Sequence, residues 1–398
     1  MASKVPPMLV SGHKVLTLAA LCMALLGVAG NASMSIATPA AAAAVSWTLQ
    51  TEPGLNGTLL DVSCPTITNC TAVGYESKSS GSPDHAVIWS WGPAGWKPEV
   101  VAPGAAATLL DSVSCVTIST CIAVGTTGNS PYSVAMRRGR WGQVPMPADN
   151  TGSSAPAISS VSCQSRSSCM AVGVELPSEH PLAYSFNGTR WLDRSVPSKL
   201  RYAVLKSVSC DGTATLDCTA VGTAVAPPTP FASSQKPLPA VLRFQGASSK
   251  PVAVPVNNAG LNAVVCIDSS CVAGGAVGTR ADTPLVVQGQ MRGWVRGGTP
   301  STRDASSILR LSCVGTTASC AAVASGTAAN GREVIETLRD GHWNLQRVAL
   351  PRVAFSLGGI SCVAANAGSA DCMLVGSERT SAGFQENFAV RGTLVDER

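Results

Sequence analysis

Charged residues are scarce in this sequence, since Lys, Arg, Asp and Glu together make up 13% of its 398 residues. The formal net charge is only +5, and it falls to +3 if an N-terminal leader that carries Lys4 and Lys14 is removed. A charge this small and scattered argues against a nucleic-acid-binding protein. The hydrophobic content of 45% excludes a charged disordered chain, and the many Gly and Pro residues favour short strands joined by turns.

The sequence also lacks the common hydrolase motifs. It contains no G-x-S-x-G nucleophile elbow and no H-E-x-x-H metal motif. Three histidines lie beyond the leader, His85, His180 and His342, and they stand at unrelated positions. We therefore expect no catalytic residue set, no metal site and no cofactor.

The first 44 residues are predicted to be an export signal. Lys4 and Lys14 give a basic start, and residues 15–30 form an apolar run whose only polar member is Thr17. Small residues up to Ala44 offer a signal-peptidase site, so residues 45–398 form the predicted mature domain. An uncleaved membrane anchor is the alternative, although it normally needs about 20 apolar residues. No second apolar span of that length follows, so we expect no integral membrane span after signal removal.

Fourteen of the fifteen cysteines form seven local pairs, and the remaining one, Cys22, lies in the leader. An even number of cysteines in an exported chain indicates disulfide bonds. Metal binding is the competing interpretation, but zinc sites need two such pairs close together or histidines nearby. The predicted disulfides join Cys64 with Cys70, Cys115 with Cys121, Cys163 with Cys169, Cys210 with Cys218, Cys266 with Cys271, Cys313 with Cys320 and Cys362 with Cys372.

The cysteine pairs mark a repeat. Their first members are 51, 48, 47, 56, 47 and 49 residues apart, a spacing typical of stacked supersecondary units. An apolar segment precedes each first cysteine, as in LLDVSC, and another follows each second cysteine, as in CTAVG. A third apolar stretch and a segment that opens with Trp in most units complete four predicted strands. Six of the eight tryptophans hold this one position, which we interpret as packing between units.

The two ends of the repeat region complete each other. The mature chain starts with the tryptophan segment SWTLQTEP, which has no cysteine pair before it, and the last unit ends without such a segment. An N-terminal strand that completes the last sheet closes a ring and removes exposed sheet edges. In repeat number, strands per unit and this divided unit, the sequence resembles the seven-bladed β-propellers. The resemblance is to an architecture, because WD, kelch and sialidase signatures are absent, and it implies an all-β fold of four-stranded blades with one disulfide each.

The first strand of each propeller blade lines the central axis, so the residues before each first cysteine are candidates for a central site. The residue directly before this cysteine is Ser in six units and Val265 in the other, which we interpret as small residues in a crowded centre. Three residues before the cysteine, Asp61 and Arg310 replace small residues and are the candidate ligand contacts. An inter-blade ion pair or solvated rim charges are the alternatives.

An insertion in the fourth unit offers a second candidate surface. Residues 222–240 contain five prolines and Phe231, which predicts a stiff arm that contacts a partner, unless it is a tolerated surface loop. Carboxylates that a glycosidase would need are available in the loops on the same face, although loop carboxylates are mostly solvated. They are Glu52, Glu76, Asp84 and Glu175.

Taken together, these patterns favour an exported, non-catalytic binding or interaction module at the cell envelope or outside the cell. An extracellular hydrolase or lyase that acts on glycans or a small ligand at the channel mouth is the alternative, and a purely architectural wall or spore component is a third. We expect a monomer that binds a protein or a glycan and does not bind nucleic acid. The Ala-rich composition and the excess of Arg over Lys resemble secreted proteins of high-GC bacteria.

Overall fold

A computed structural model describes most of the repeat region. The predicted export signal and Phe231 lie outside the described residues. The described residues are 47–50, 57–77, 85–99, 108–147, 155–200, 202–211, 216–225, 236–278, 283–290, 293–326, 332–339, 341–346, 348, 355–365, 369–379 and 385–394.

The chain folds into a seven-bladed β-propeller, and each blade is a sheet of four strands. Strand β1 (Trp47–Gln50) comes first. Blade 1 contains β2 (Gly57–Thr66), β3 (Asn69–Glu76), β4 (His85–Gly92) and β5 (Gly95–Glu99). Blade 2 contains β6 (Thr108–Thr117), β7 (Thr120–Thr127), β8 (Ser130–Arg137) and β9 (Arg140–Gln143). Blade 3 contains β10 (Ala155–Ser165), β11 (Ser168–Leu176), β12 (His180–Phe186) and β13 (Trp191–Asp193).

The remaining four blades repeat this order. Blade 4 contains β14 (Ala203–Cys210), β15 (Asp217–Ala224), β16 (Leu238–Gln245) and β17 (Ser248–Pro251). Blade 5 contains β18 (Ala259–Ile267), β19 (Ser270–Val277), β20 (Thr283–Gln290) and β21 (Gly293–Arg296). Blade 6 contains β22 (Ala305–Cys313), β23 (Cys320–Gly326), β24 (Val334–Arg339) and β25 (His342–Gln346). Blade 7 contains β26 (Phe355–Ala364), β27 (Ala370–Arg379) and β28 (Gln385–Leu394).

The N-terminal strand completes the last blade, as the divided repeat predicts. Strand β1 pairs antiparallel with β28, and the sheet order is β1, β28, β27, β26. Trp47 lies opposite Gly392 and Gln50 lies opposite Ala389. The ring is therefore closed by hydrogen bonds between β1 and β28, the first and last strands of the repeat region.

The structure contains the seven predicted disulfides, one in each blade, and thereby confirms the predicted pairing. Each joins the first and second strands of its blade near their hairpin turn, with Cα atoms 3.9–4.0 Å apart. The bonded pairs are Cys64 with Cys70, Cys115 with Cys121, Cys163 with Cys169, Cys210 with Cys218, Cys266 with Cys271, Cys313 with Cys320 and Cys362 with Cys372.

Helical structure is sparse among the described residues. The short 3-10 segment Ser198–Leu200 interrupts the described strands between β13 and β14. Across the described ranges, no helix has the length and apolar content to cross a membrane.

The repeated tryptophans pack between neighbouring blades. Trp191 of blade 3 donates its indole N–H to the Ser133 hydroxyl of blade 2 at 2.8 Å. Trp294 lies over Gly289 of its own blade 5 and packs in one hydrophobic cluster with Val221 and Val241 of blade 4. In blade 4 the tryptophan position is taken by Ser249. The tryptophans thus act between units, as the repeat position indicates.

The serine before each first cysteine is a hydrogen-bond acceptor as well as a small residue. Its hydroxyl accepts a bond from the amide of the first cysteine in the next blade, at 2.9–3.0 Å. Val265 has no hydroxyl, so the ring of bonds has one gap, between blades 5 and 6. The six pairs are Ser63–Cys115, Ser114–Cys163, Ser162–Cys210, Ser209–Cys266, Ser312–Cys362 and Ser361–Cys64.

Candidate ligand site in the central channel

Every blade contributes to a cavity of about 150 Å³ at the centre of the ring. The register of each first strand shifts a few residues before its first cysteine, as between Leu110 and Ser112 in blade 2. A bulge of this kind puts two residues of the first strand opposite one residue of the second, and it redirects side chains. Two successive residues, such as Asp111 and Ser112, therefore line the cavity.

Asp61, from blade 1, is tied into the wall of this cavity. Its carboxylate accepts hydrogen bonds from the Val113 amide at 2.9 Å and the Ser112 hydroxyl at 2.8 Å, both in blade 2, and from the amide of the adjacent Val62 at 2.9 Å. Burial raises the pKa of Asp61, and these bonds and the positive charge of Arg310 oppose that rise. The hydroxyl groups of Ser112, Ser160 and Ser207, at the same position of the repeat, likewise accept a hydrogen bond from a backbone amide of the next blade. The hydrogen bonds of Asp61 therefore belong to the contacts that join neighbouring blades.

Asp111, from blade 2, differs from Asp61 because its carboxylate accepts no hydrogen bond from a described residue. Burial raises the pKa of Asp111 to about 7, with a contribution from the negative charge of Asp61, while Arg310 opposes the rise. A carboxyl group with this pKa changes its charge near neutral pH. Asp111 is thus the available acidic group of the cavity.

Lys206 and Asn262 form a polar bridge across three blades on the other side of the cavity. The Lys206 ammonium donates to Asn262 Oδ1 at 2.8 Å, and Asn262 Nδ2 donates to the Ser307 hydroxyl at 3.1 Å and the Ile308 carbonyl at 2.9 Å. Burial lowers the pKa of Lys206, and the positive charge of Arg310 adds to this effect. The bridge fixes the ammonium at the wall of the cavity.

Arg310, from blade 6, is the most exposed charged residue of the site. Its Nη1 donates to the Leu309 carbonyl at 3.1 Å, and it forms no ion pair with another residue of the described ranges. Burial raises the pKa values of Asp61, Asp111 and Glu333, and the positive charge of Arg310 opposes this rise in all three. The cavity therefore has carboxylates on blades 1 and 2 and cations on blades 4 and 6.

The structure places Asp61 and Arg310, the two residues singled out in the sequence, at the same cavity. Asp111, Lys206 and Asn262 were missed because they stand four residues before the first cysteine, one position earlier than the column that holds Asp61. Strict alternation along a strand would turn neighbouring columns to opposite faces, whereas the bulge lets both line the cavity. Their polar character among apolar neighbours is the signal that the sequence offers.

The disulfide cysteines belong to the fold and do not belong to this site, since no cysteine lines the channel cavity. The second cysteine of a pair lies on the second strand of its blade, one strand farther from the axis than the strand that lines the cavity. In six blades this cysteine is 0–3% exposed and packs inside a hydrophobic cluster, so it offers no surface to a ligand. These six are Cys70, Cys121, Cys169, Cys218, Cys320 and Cys372.

The other predicted candidates lie elsewhere or outside the described residues. Glu175 accepts a hydrogen bond from the Ser178 hydroxyl at 2.9 Å and lies 3.5 Å from His180 Nδ1. This pair belongs to the turn between β11 and β12 and does not reach the cavity. Glu52 and Asp84 fall in ranges that the structure does not describe. Within the described ranges, no group of three or more His, Cys, Asp or Glu residues is arranged to hold a metal ion.

The charged residues of the cavity can bind the two ends of a small polar ligand. Lys206 and Arg310 suit an anionic group, and Asp111 suits an ammonium group or a hydrogen-bond donor. The volume corresponds to about five water molecules at liquid density, so only a small ligand or the end of a larger one fits.

Comparisons with known proteins bear on the fold. No protein-family model matches the chain, and no curated protein matches its sequence. A solved structure described as YCF48 bound to D1 peptide has a TM-score of 0.54 and 14% identity, and the match covers 87% of this chain and 96% of that chain. The SapL1 lectin in complex with alpha methyl fucoside has a TM-score of 0.47 and 9% identity, and the match covers 75% and 98% of the two chains. At 14% identity, the likeness to the first of these two structures supports the propeller fold and leaves the activity open.

Proposed function

We propose that this protein is an exported, non-catalytic binding module that holds a small ligand of mixed charge in its central channel. The seven disulfides agree with an extracellular or exported protein. The proposal includes removal of residues 1–44 as the export signal and a location at the cell envelope or outside the cell. A similar propeller is described as bound to a peptide, so binding is within the range of the fold.

The observation that carries the proposal is the division of charge around the cavity. Asp111 stands on one side, and Lys206 and Arg310 come from blades on the other side. Unpaired charged groups are kept in a partly buried cavity at a cost in solvation, which a ligand with matching charges would offset. Among small molecules, a zwitterion with its two charges a few bonds apart fits this pattern.

Binding is favoured over glycoside hydrolysis because one of the two channel carboxylates is already engaged. Glycosidases use two carboxyl groups, one as acid and one as base or nucleophile. Asp61 accepts three hydrogen bonds, and two of them tie blade 1 to blade 2, so it is not free for this role. Asp111 alone does not make the pair.

The proposal is tested on the protein purified from the culture medium, whose mature N-terminus we expect at Val45 by intact mass. Binding is measured by ligand-observed NMR with free α- and ω-amino acids, beside analogues that carry only the amine or only the acid. We expect the doubly charged compounds to bind best. Because Asp111 loses its proton near pH 7, their affinity should rise between pH 6 and pH 8.

A matched pair of variants localises the binding. Asp111→Asn removes the channel carboxylate and should weaken binding about tenfold or more. Asp193→Asn removes an exposed carboxylate on β13 and should leave affinity unchanged. Equal binding of singly charged analogues, or equal affinity of both variants, would contradict the channel as the site.

Acid–base catalysis in the same cavity is the second candidate function. It is favoured by the pKa of Asp111, raised to about 7, beside Lys206, whose pKa is lowered. Release of reducing sugar ends from glycans, or turnover of a compound in the binding panel, would support an enzyme if Asp111→Asn abolished it. Such turnover would overturn the non-catalytic part of the proposal and leave the cavity as the site.

A further inference from the structure

A second groove lies between blades 2 and 3, and none of its lining residues lines the channel cavity. It has a volume of about 620 Å³ and is bordered by the turns β8–β9, β10–β11 and β12–β13. Arg137 and Arg138 line it from blade 2, and Arg166 lines it from blade 3. This groove is therefore independent of the proposed ligand site.

The groove is strongly basic in a protein of low overall charge. Arg137, Arg138 and Arg166 are exposed, and the exposed Arg140 and Arg190 stand at the ends of the same turns. The described lining contains no Asp or Glu. Among the residues that the structure describes, none of these five arginines forms an ion pair. Their charges are consequently available to a ligand.

The two arginines of the turn between β8 and β9 differ in how the structure holds them. Arg137 Nη2 donates to the Gly188 carbonyl of the next blade at 3.0 Å, which fixes this side chain across the interface. Arg138 has a φ of 53°, a left-handed conformation that Gly, Asn and Asp adopt more readily. The conformation of this turn therefore does not by itself favour an arginine at this position.

The chemistry of the lining indicates what the groove binds. The hydroxyl-bearing residues Ser119, Ser167 and Thr189 lie among the arginines. Guanidinium groups and hydroxyls together donate hydrogen bonds to phosphate and sulfate oxygens, often in pairs. Phe186, the aromatic residue in the described lining, is only 4% exposed and offers no face for stacking bases or sugar rings. We propose that this groove binds one strand of an anionic polymer through its phosphate or sulfate groups.

The experiment measures binding of the mature protein to fluorescently labelled dextran sulfate and inorganic polyphosphate over a range of salt concentrations. The two probes distinguish sulfate from phosphate as the preferred group. Arg138→Gln combined with Arg166→Gln should weaken binding about tenfold or more and reduce the dependence of affinity on salt. The matched control, Arg296→Gln with Arg379→Gln, removes the same net charge from exposed positions on blades 5 and 7 and should change affinity less than about twofold.

Four results would overturn the proposal. Equal losses in the two double variants would mean that only net charge matters. Tighter binding of duplex DNA or polyglutamate than of either probe would assign the groove to another class of polymer. Absence of binding to both probes at low salt would remove the site altogether. Thermal unfolding of each variant is measured alongside, and a folded Arg138/Arg166 variant that still binds like the control also contradicts the proposal.

Discussion

Glu336 shows what a single charged residue costs inside this fold. It lies on β24 and is 2% exposed, and its Oε1 atom has no hydrogen-bond partner in the described part of the chain. Val334 and Leu338, which share its face of the strand, pack into the core between blades 5 and 6. Burial raises the pKa of Glu336 to about 7, and the negative charge of Asp304 adds to this effect. An unpaired carboxylate at such a position opposes folding.

The pH dependence of stability tests this interpretation of Glu336. Because its pKa is higher in the folded protein than the ordinary 4.5, the folded state binds more protons, and the free energy of unfolding falls as pH rises from 4.5 to about 7. Glu336→Gln should therefore stabilise the protein by about 3 kcal/mol at pH 8 and by about 1 kcal/mol or less at pH 5, as measured by urea unfolding. The exposed Asp193→Asn serves as control. A stabilisation of the same size at both pH values would show that ionisation is not the cause.

At the level of strands, local patterns predicted the elements well and their contacts less well. The VSC and TAVG segments give the first two strands of each blade because they combine β-branched and small residues with a bridged turn. The same segments do not reveal that the Ser114 hydroxyl bonds to the Cys163 amide of the next blade, since such a bond depends on how blades stack. Asp111 and Lys206 were missed as channel residues for a similar reason. The bulge that turns them toward the cavity depends on how the first strand pairs with the second, which the local sequence does not show.

The inter-blade bonds predict a measurable local effect. Ser114→Ala leaves the Cys163 amide without its acceptor and should lower the free energy of unfolding by about 1–2 kcal/mol. Native-state hydrogen exchange should show faster exchange at Cys163. The Cys313 amide is a control within the chain, because Val265 gives it no such bond in the wild type, and its exchange should not change. Unchanged exchange at Cys163 would show that the serine matters only for its size.

At the scale of the whole ring, closure depends on contacts between distant parts of the chain. Strand β1 has four residues and pairs only with β28, whereas every other outer strand also continues from a hairpin within its own blade. The Ser361 hydroxyl accepts a bond from the Cys64 amide at 3.0 Å, which links blade 7 to blade 1 nearer the axis. The divided repeat in the sequence predicted this closure because a count of strands needs no side-chain detail. The residues that line the channel could not be predicted in the same way, because their positions depend on how the strands pair and how the blades are arranged around the axis.

Two equivalent tryptophans separate the effect of closure from that of packing. Trp47 lies over Gly392 in the closing strand, and Trp294 lies over Gly289 in blade 5, and both are 7% exposed. Replacement of either by Ala removes a similar buried ring, at a cost of about 3–5 kcal/mol.

Trp294→Ala should leave β21 attached through its hairpin, whereas Trp47→Ala should also detach β1, because no hairpin holds it. Limited proteolysis should then release the N-terminal segment from Trp47→Ala alone, and an uncovered β28 edge should promote association between molecules. Equal protease resistance of the two variants would mean that β1 is held by more than the pairing with β28.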